Sequence, residues 1–395
     1  MSTKLLYHAW KIKGVKYKSI DYSDRSIIIH SKMSKKDITC PKCNNKHLTF
    51  KGQKQRKLRL PPIGKKLCFL SLTVHRLLCS NCQHCWWPTL SFMEAKSRMT
   101  KQFMQFTCDL LFFATVKAVA SFLNIGWDTV KDLHKRKLQI TYKKISLKNI
   151  LYISVDEFSI RKGHDYMTIF VDLSTGRIIY AVEGTNLKAI APFVRKLARE
   201  AKHLKAICMD MSRSYYSAVK YLLPRVDVVF DHFHVMKMMN IALDDIRRAE
   251  QSDAVLKGSR FLFLKNYENL DSQGKERLQT LLSINQPLSI AYTLKEQLRL
   301  FWRKENISEA ESFIYAWCED AKKYGKGPLK RVVKMLLTHI DGLLNYFKHR
   351  ITNGPIEGIN NKIKTLKRQA YGFRDMEYFK LRLYHLHEQR YSLAG

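Results

Sequence analysis

Acidic residues are scarce in this chain: 34 Asp plus Glu stand against 70 Lys plus Arg in 395 residues, for a formal charge of +36. Such an excess calls for a polyanionic partner, most commonly nucleic acid. Long apolar runs are also missing. The strongest, around Leu110 to Phe122, is interrupted by Lys117 and closely preceded by Asp109, and it falls short of the roughly 20 residues a membrane helix requires. The opening MSTKLLYHAWKIKG lacks the apolar core of a signal peptide. We therefore expect a cytoplasmic protein with no membrane partner. With 46% hydrophobic residues the chain can bury sizeable cores, and its length suits about two to four domains.

A reducing compartment argues against a disulfide framework for the nine cysteines, so clustered pairs read first as metal ligands. Cys40 and Cys43 lie in CPKC, and Cys79 and Cys82 in CSNC. Four thiolates from two such knuckles suit tetrahedral zinc. His84 and Cys85, in the adjoining CQHC, are alternatives to Cys82 as the fourth ligand. Cys68, Cys108, Cys208 and Cys318 stand alone and read as small buried hydrophobes. Between the knuckles, KLCFLSLTVHRLLC alternates as a strand does, and LPPIGKK before it is a turn.

From about Ser97 the period becomes helical. TVKAVASFLNIGWDTVKDLHKRKL has the order of a helix-turn-helix, with Val116, Val119, Ala120 and Leu123 as the apolar face and Asn124-Ile125-Gly126 as the turn. Trp127 to Leu138 would be the recognition helix, presenting Trp127, Thr129, Lys131, Lys135 and Arg136 to DNA. Any amphipathic helical hairpin shares the pattern; the basic residues and the neighbouring cysteine module favour the DNA reading.

Beyond the polar linker ITYKKISLKN, residues 151–157, 166–172 and 177–184 read as three strands, with a hairpin turn in DLSTGRI. A helix is expected at 187–202, a strand at 205–210, a helix at 213–222 and a strand at 226–231. This order is that of a mixed α/β, ribonuclease H-like sheet in which the first and fourth strands lie side by side. Asp156 in LYISVDEF and Asp210 in LKAICMDMS close the first and fourth strands, so that adjacency would bring them together. Residues 251–345 are helical throughout, with Ser308 and Glu311 as an expected capping box. Glu357, in the first turn of a helix beyond them, would complete an oxygen-ligand site for Mg²⁺ or Mn²⁺. Strand ends and helix starts also attract carboxylates for capping alone. From Glu357, Asn361, Lys364 and Arg368 follow on one helical face. Lys364, Lys367 and Arg368 are the candidate phosphate contacts there.

The stretches VDEFSIRKGHDYMTIFVDLSTGRI, CMDMSRSYYSAVKYLLPRVDVVFDHFHVMK and NGPIEGINNKIKTLKRQAYGFR resemble the bacterial insertion-sequence DDE transposases of the L-three family. With the knuckles and the helix-turn-helix, the resemblance spans nearly the whole chain. It implies that Asp156, Asp210 and Glu357 are a metal-binding catalytic triad and that Cys40, Cys43, Cys79 and Cys82 hold zinc. It also implies two Mg²⁺ (or Mn²⁺) ions per site, double-stranded DNA as partner, and cleavage and transfer at inverted terminal repeats. Joining two ends implies at least a dimer. In some other DDE transposases an insertion-domain tryptophan stacks on a displaced base, which makes Trp302 a candidate for that role. The implied organisation is a zinc module at 1–95, a helix-turn-helix at 96–140, a catalytic domain at 141–250 and 346–395, and an all-α insertion at 251–345. A DNA-binding regulator without catalysis, and a nuclease or resolvase of the same fold, are the competing functions; neither accounts as well for the acidic residues together with two DNA-binding modules.

Overall fold

The computed structural model describes residues 3–36, 38–161, 163, 165–250, 256–324 and 327–387. They form two compact units that divide between Thr141 and Tyr142.

The first unit begins with α1 (Thr3–Trp10) and continues through β1 (Val15–Tyr22), β2 (Ser26–Met33), β3 (Leu48–Ile63), β4 (Lys66–Cys79) and the short β5 (Cys85–Trp86). The sheet order is β1-β2-β4-β3, with β5 on β4. Alternate residues of β4, namely Cys68, Leu70, Leu72 and Val74, are buried with Ile29 and Leu58, as the two-residue period of a strand dictates. Gly64, at φ 57°, turns the chain between the paired Ile63 and Lys66. Three helices follow: α2 (Lys101–Leu110), α3 (Val116–Leu123) and α4 (Trp127–Thr141). The Thr115 side chain caps α3 by accepting from the Ala118 amide, and Asn124 ends it in the left-handed conformation that asparagine tolerates. Val119, Ala120 and Leu123 pack with Phe103 and Val130.

The second unit is built on β6 (Tyr152–Ser159), β7 (Tyr166–Asp172), β8 (Arg177–Glu183), α5 (Leu187–Glu200), β9 (Ala206–Met209), α6 (Arg213–Leu222), β10 (Asp227–Phe230) and α7 (His232–Ala249). Every strand and helix expected here is found within about two residues of its expected ends. The order is β10-β9-β6-β7-β8. β6 pairs in parallel with β9, and β9 with β10, whereas β6-β7 and β7-β8 are antiparallel.

Six helices come next: α8 (Arg260–Leu264), α9 (Ser272–Ile284), α10 (Gln286–Arg299), α11 (Ile307–Tyr324), α12 (Gly327–Thr338) and α13 (Ile340–His349). Residues 251–255, where the expected insertion begins, lie outside the described residues. The expected Ser308–Glu311 capping box is not the one used. Asn306 Oδ1 accepts from the Glu309 amide at 2.9 Å while its Nδ2 donates to Glu309 Oε1 at 3.0 Å, so the reciprocal cap sits two residues earlier. The chain then returns to the sheet as α14 (Gly354–Gln369) and α15 (Met376–Tyr384).

Two cores cover the two faces of the sheet. Ile153, Val155, Ile207 and Val228 pack with α5, α6, α7 and the six-helix segment. Phe158, Met167, Ile169 and Val171 pack on the other face with Ile356, Ile359 and Ile363 of α14 and Phe379 of α15. The edge strand β10 is covered by α13, where Asn345 Nδ2 donates to the Val228 carbonyl at 3.0 Å. That approach depends on Gly342, since a Cβ there would lie 2.4 Å from the Phe230 ring. Replacing Gly342 by Ala favours helix intrinsically but overpacks this contact, and we expect a net loss of roughly 1–3 kcal/mol, read by chemical denaturation; unchanged or higher stability would count against the close packing.

Candidate active site and zinc centre

In the first unit the two cysteine knuckles are superposable in kind. Cys40 accepts from the Asn44 amide and donates its own to Asn45, and Cys79 does the same with Gln83 and His84. Asn44 (φ 57°) and Gln83 (φ 55°) take the left-handed conformation just past each second cysteine. These turns aim four sulfurs inward: Cys40 Sγ lies 3.4 Å from Cys82 Sγ, and Cys43 Sγ lies 3.5 Å from both Cys79 and Cys82. Among the described residues, they are the metal-ligating group whose atoms all lie within 4.8 Å of one another. A tetrahedral zinc with Zn–S of about 2.3 Å needs sulfurs at close to this spacing. The Asn45 amide, with the neighbouring thiols, lowers the Cys43 thiol to about 6, whereas the Cys82 thiol, although the His84 amide lowers it, is pushed up to about 12 by burial and those same thiols; a metal would draw all four to the thiolate. Cys82 is the fourth member. Cys85 is tied into β5 opposite Leu78.

In the second unit the site forms where the parallel strands end. β6 and β9 are in register at Ser154↔Cys208, so Asp156 and Asp210 fall at matching positions on neighbouring strands. β9 and β10 are in register at Met209↔Phe230, which sets Asp231 beside Asp210 as the next in the row. Asp156 Oδ1 accepts from the Glu157 amide at 2.8 Å, and Oδ2 accepts from Asn360 Nδ2 at 2.7 Å. Burial nevertheless raises the Asp156 carboxyl above the usual range, and Asp210 adds to the shift. Glu157 is also raised, chiefly by burial, although Tyr215 Oη donates to it at 3.0 Å. The Asp210 side chain accepts from the Ser212 amide at 3.0 Å.

Glu357 is exposed on the first turn of α14. Asp156, Asp210 and Glu357 do not all lie within 4.8 Å of one another; Glu357 stands one turn before Asn360, which bonds Asp156. The base of α14 is fixed independently, because Ser154 Oγ donates to the buried Asn353 side chain. His234, absent from the expected ligands, lies beside the third aspartate of the row: Asp231 Oδ2 is 3.2 Å from its Nδ1. That bond, together with the fields of Asp231, Asp210 and Asp156, raises the imidazole above its ordinary value.

An oxygen-seeking divalent cation fits this donor set. Asp156 is a half-buried carboxylate held above its usual range beside a second carboxylate, and the Asn360 Oδ1 nearby is buried with no partner among the described residues. A cation would relieve both.

The remaining expected contacts are distributed as follows. Trp127 is 56% exposed at the start of α4, Thr129, Lys131 and Lys135 are half-buried, and Arg136 is exposed with Glu94 at 3.4 Å. On α14, Glu357, Asn361, Lys364 and Arg368 all face solvent. Lys367 does not: its amine donates to the Ser159 carbonyl, tying α14 to β6, and burial lowers its pKa. Trp302 is half-buried beside His232 in a cleft of about 790 Å³ along α7, and its indole N–H has no partner among the described residues.

A family model described as a transposase matches residues 153–383. A second, described as the zinc-finger of transposases IS204, IS1001, IS1096 and IS1165, matches residues 36–82. The transposase for insertion sequence element IS1001 of Bordetella parapertussis is 31% identical over 369 residues, covering 91% of each chain. The chain belongs to the IS-L-three family of insertion-sequence transposases. The transposase for IS1557 of Mycobacterium tuberculosis is 28% identical over 290 residues, 65% of each chain. Among solved structures, the Drosophila P element transposase strand transfer complex aligns at TM-score 0.40 and 12% identity, over 74% of this chain and 92% of that one.

As in the family's zinc-finger model, the knuckles of this transposase supply a zinc site. No described helix is long and apolar enough to cross a membrane. Structural zinc contributes directly to folding, so Cys40→Ser and Cys79→Ser should each lose the zinc that elemental analysis finds in the wild type, whereas Cys85→Ser should retain it. Full zinc occupancy in both of the first two variants, or loss in the third, would overturn this ligand set.

Proposed function

We propose that this transposase cuts and joins DNA through Asp156, Asp210 and Glu357, with Mg²⁺ or Mn²⁺ as the cofactor, acting at the inverted ends of its own element. The observation that carries this reading is the in-register pairing of β6 with β9, with α14 pinned on Asp156 by Asn360. The sheet order and the helices on both faces favour a ribonuclease H-like catalytic domain interrupted by an all-α insertion. Family membership and the basic composition support double-stranded DNA as the partner.

In this reading Asp156 and Asp210 are the fixed ligands, because their strands cannot move without breaking the sheet. Glu357 is the adjustable one, carried on the exposed end of a helix. Divalent ions bound there supply an activated oxygen nucleophile and offset the charge that builds at phosphorus. The chain's own residues hold the carboxylates in place: the Glu157 and Ser212 amides and Asn360 each fix one carboxylate oxygen. His234, whose imidazole Asp231 holds above its ordinary pKa, lies close to Asp231 and suits a phosphate oxygen when protonated. Exposed Lys364 and Arg368 extend the positive face away from Glu357. In the first unit, α3 and α4 serve as a helix-turn-helix, with Trp127, Thr129, Lys131, Lys135 and Arg136 reading sequence. A regulator without catalysis would have no use for half-buried, mutually repelling carboxylates.

Replacing Asp210 by Asn or Glu357 by Gln keeps shape and removes charge. Cleavage of a DNA fragment carrying the element's ends should fall by about 10³-fold or more, the order of several kcal/mol of lost charge stabilisation, while gel-shift affinity for those ends stays within about twofold. Near-wild-type cutting by both variants would refute the mechanism.

Phosphate contacts act on all sequences alike. The double variant Lys364→Ala/Arg368→Ala should bind specific and unrelated duplexes more weakly by a similar factor and lower the slope of log K against log salt by about two contacts. An unchanged slope would remove α14 from the DNA interface.

A further inference from the structure

Asn360 is more than a brace for Asp156. Its amide nitrogen is the end turned to Asp156 Oδ2, at 2.7 Å, as it must be, because an ionised carboxylate only accepts. The amide oxygen therefore points the other way, and that oxygen is buried with no partner among the described residues. Leaving a buried acceptor unpaired is destabilising, and nothing in the surrounding packing requires an amide there: Ile356, Ile359 and Ile363, its neighbours on α14, already bury the apolar face of the helix.

The placement is set twice. Asn353, just before α14, is bonded to Ser154, and Asn360, seven residues on, to Asp156. Seven residues are about two helical turns, and Ser154 and Asp156 share one face of β6. The helix is thus held in one register against the strand, with the Asn360 carboxamide against Asp156.

We propose that Asn360 is a fourth ligand of the divalent cation, offering its side-chain oxygen alongside Asp156 and Asp210 while its N–H₂ orients Asp156. The proposal rests on the metal-dependent reading above. A neutral amide oxygen is a normal ligand for a hard cation, and it adds coordination without adding to the repulsion between the aspartates.

Aspartate is the discriminating substitution. Asn360→Asp keeps an oxygen at the ligating position and adds charge, but it loses the hydrogen-bond donor and sets a second carboxylate against Asp156. Asn360→Leu loses donor and oxygen together. Mn²⁺ is titrated into the full-length, zinc-loaded protein and followed by electron paramagnetic resonance, with thermal unfolding measured with and without Mn²⁺. Outer-shell and ligand losses typically weaken metal binding by about 10–100-fold, and we expect a loss of that order in Asn360→Leu. Asn360→Asp should bind Mn²⁺ at least as tightly as wild type and show a larger Mn²⁺-induced rise in Tm. If Asn360 only docks the helix, Asn360→Asp binds more weakly than wild type, and the proposal is overturned even if Asn360→Leu fails to fold. Wild-type affinity in Asn360→Leu overturns it equally. Asp156→Asn and Asp210→Asn run in parallel: if they bind Mn²⁺ as wild type does, the carboxylate site itself is wrong; if they lose Mn²⁺ while the Asn360 variants do not, only the role of Asn360 falls.

Discussion

Two carboxylates at the ends of neighbouring parallel strands repel each other, and the second unit is organised around holding them there. Parallel pairing fixes their separation, because slipping β9 by one residue against β6 would send Ile207 and Met209 to the opposite face of the sheet and set the smaller Cys208 in their place. Burial then holds Asp156 above its ordinary pKa. The surrounding hydrogen bonds moderate this without cancelling it. What remains is a local deficit of positive charge in a protein that carries a large surplus of it, and a site in that condition is suited to take up a cation.

The far end of the sequence is recruited for the same purpose. Between Asp210 and Glu357 the chain passes through α6, β10, α7 and, among the described residues, α8 to α13 before α14 returns to β6. Closing so long an excursion is costly in entropy, although the cost grows only slowly with length. The return is secured by polar contacts spaced about two turns apart, at the N-cap Asn353 and at Asn360 and Lys367 of α14, over a seam of isoleucines. These polar contacts fix register, while the isoleucines supply most of the burial. Apolar packing alone would tolerate a helix shifted along its axis; pairing each polar group with one position on β6 does not.

Local pattern made much of this legible. The strands and helices of the second unit are readable because each buried run is short, bounded and periodic, and the matched positions of Asp156 and Asp210 follow from strand order. The zinc knuckles are readable because their ligands are close in sequence. The choice between Cys82 and Cys85 is not, since it turns on which backbone pairs with Leu78. Lys364 and Lys367 look equivalent in a basic stretch, yet only one faces solvent: an offset of three residues along α14 puts Lys367 over the Ser159 carbonyl. Asn360 was likewise hidden. An asparagine amid INNKIK carries no signal of its own, and its meaning comes from a strand some two hundred residues earlier.

The distribution of charge completes the division of labour. A chain this basic binds DNA backbone wherever its cations are exposed, so positive charge by itself cannot define where a strand is cut. Definition has to come from the few places where charge is scarce and geometry is fixed. The carboxylate row is such a place, with His234 bonded to Asp231 at one of its members and α14 bonded to Asp156 at another. On the proposed reading, lysines and arginines bring many phosphates near it, whereas only a phosphate that reaches a cation held there would meet the groups able to act on it. Affinity could then be spread widely over the protein while chemistry stayed confined to one end of one sheet.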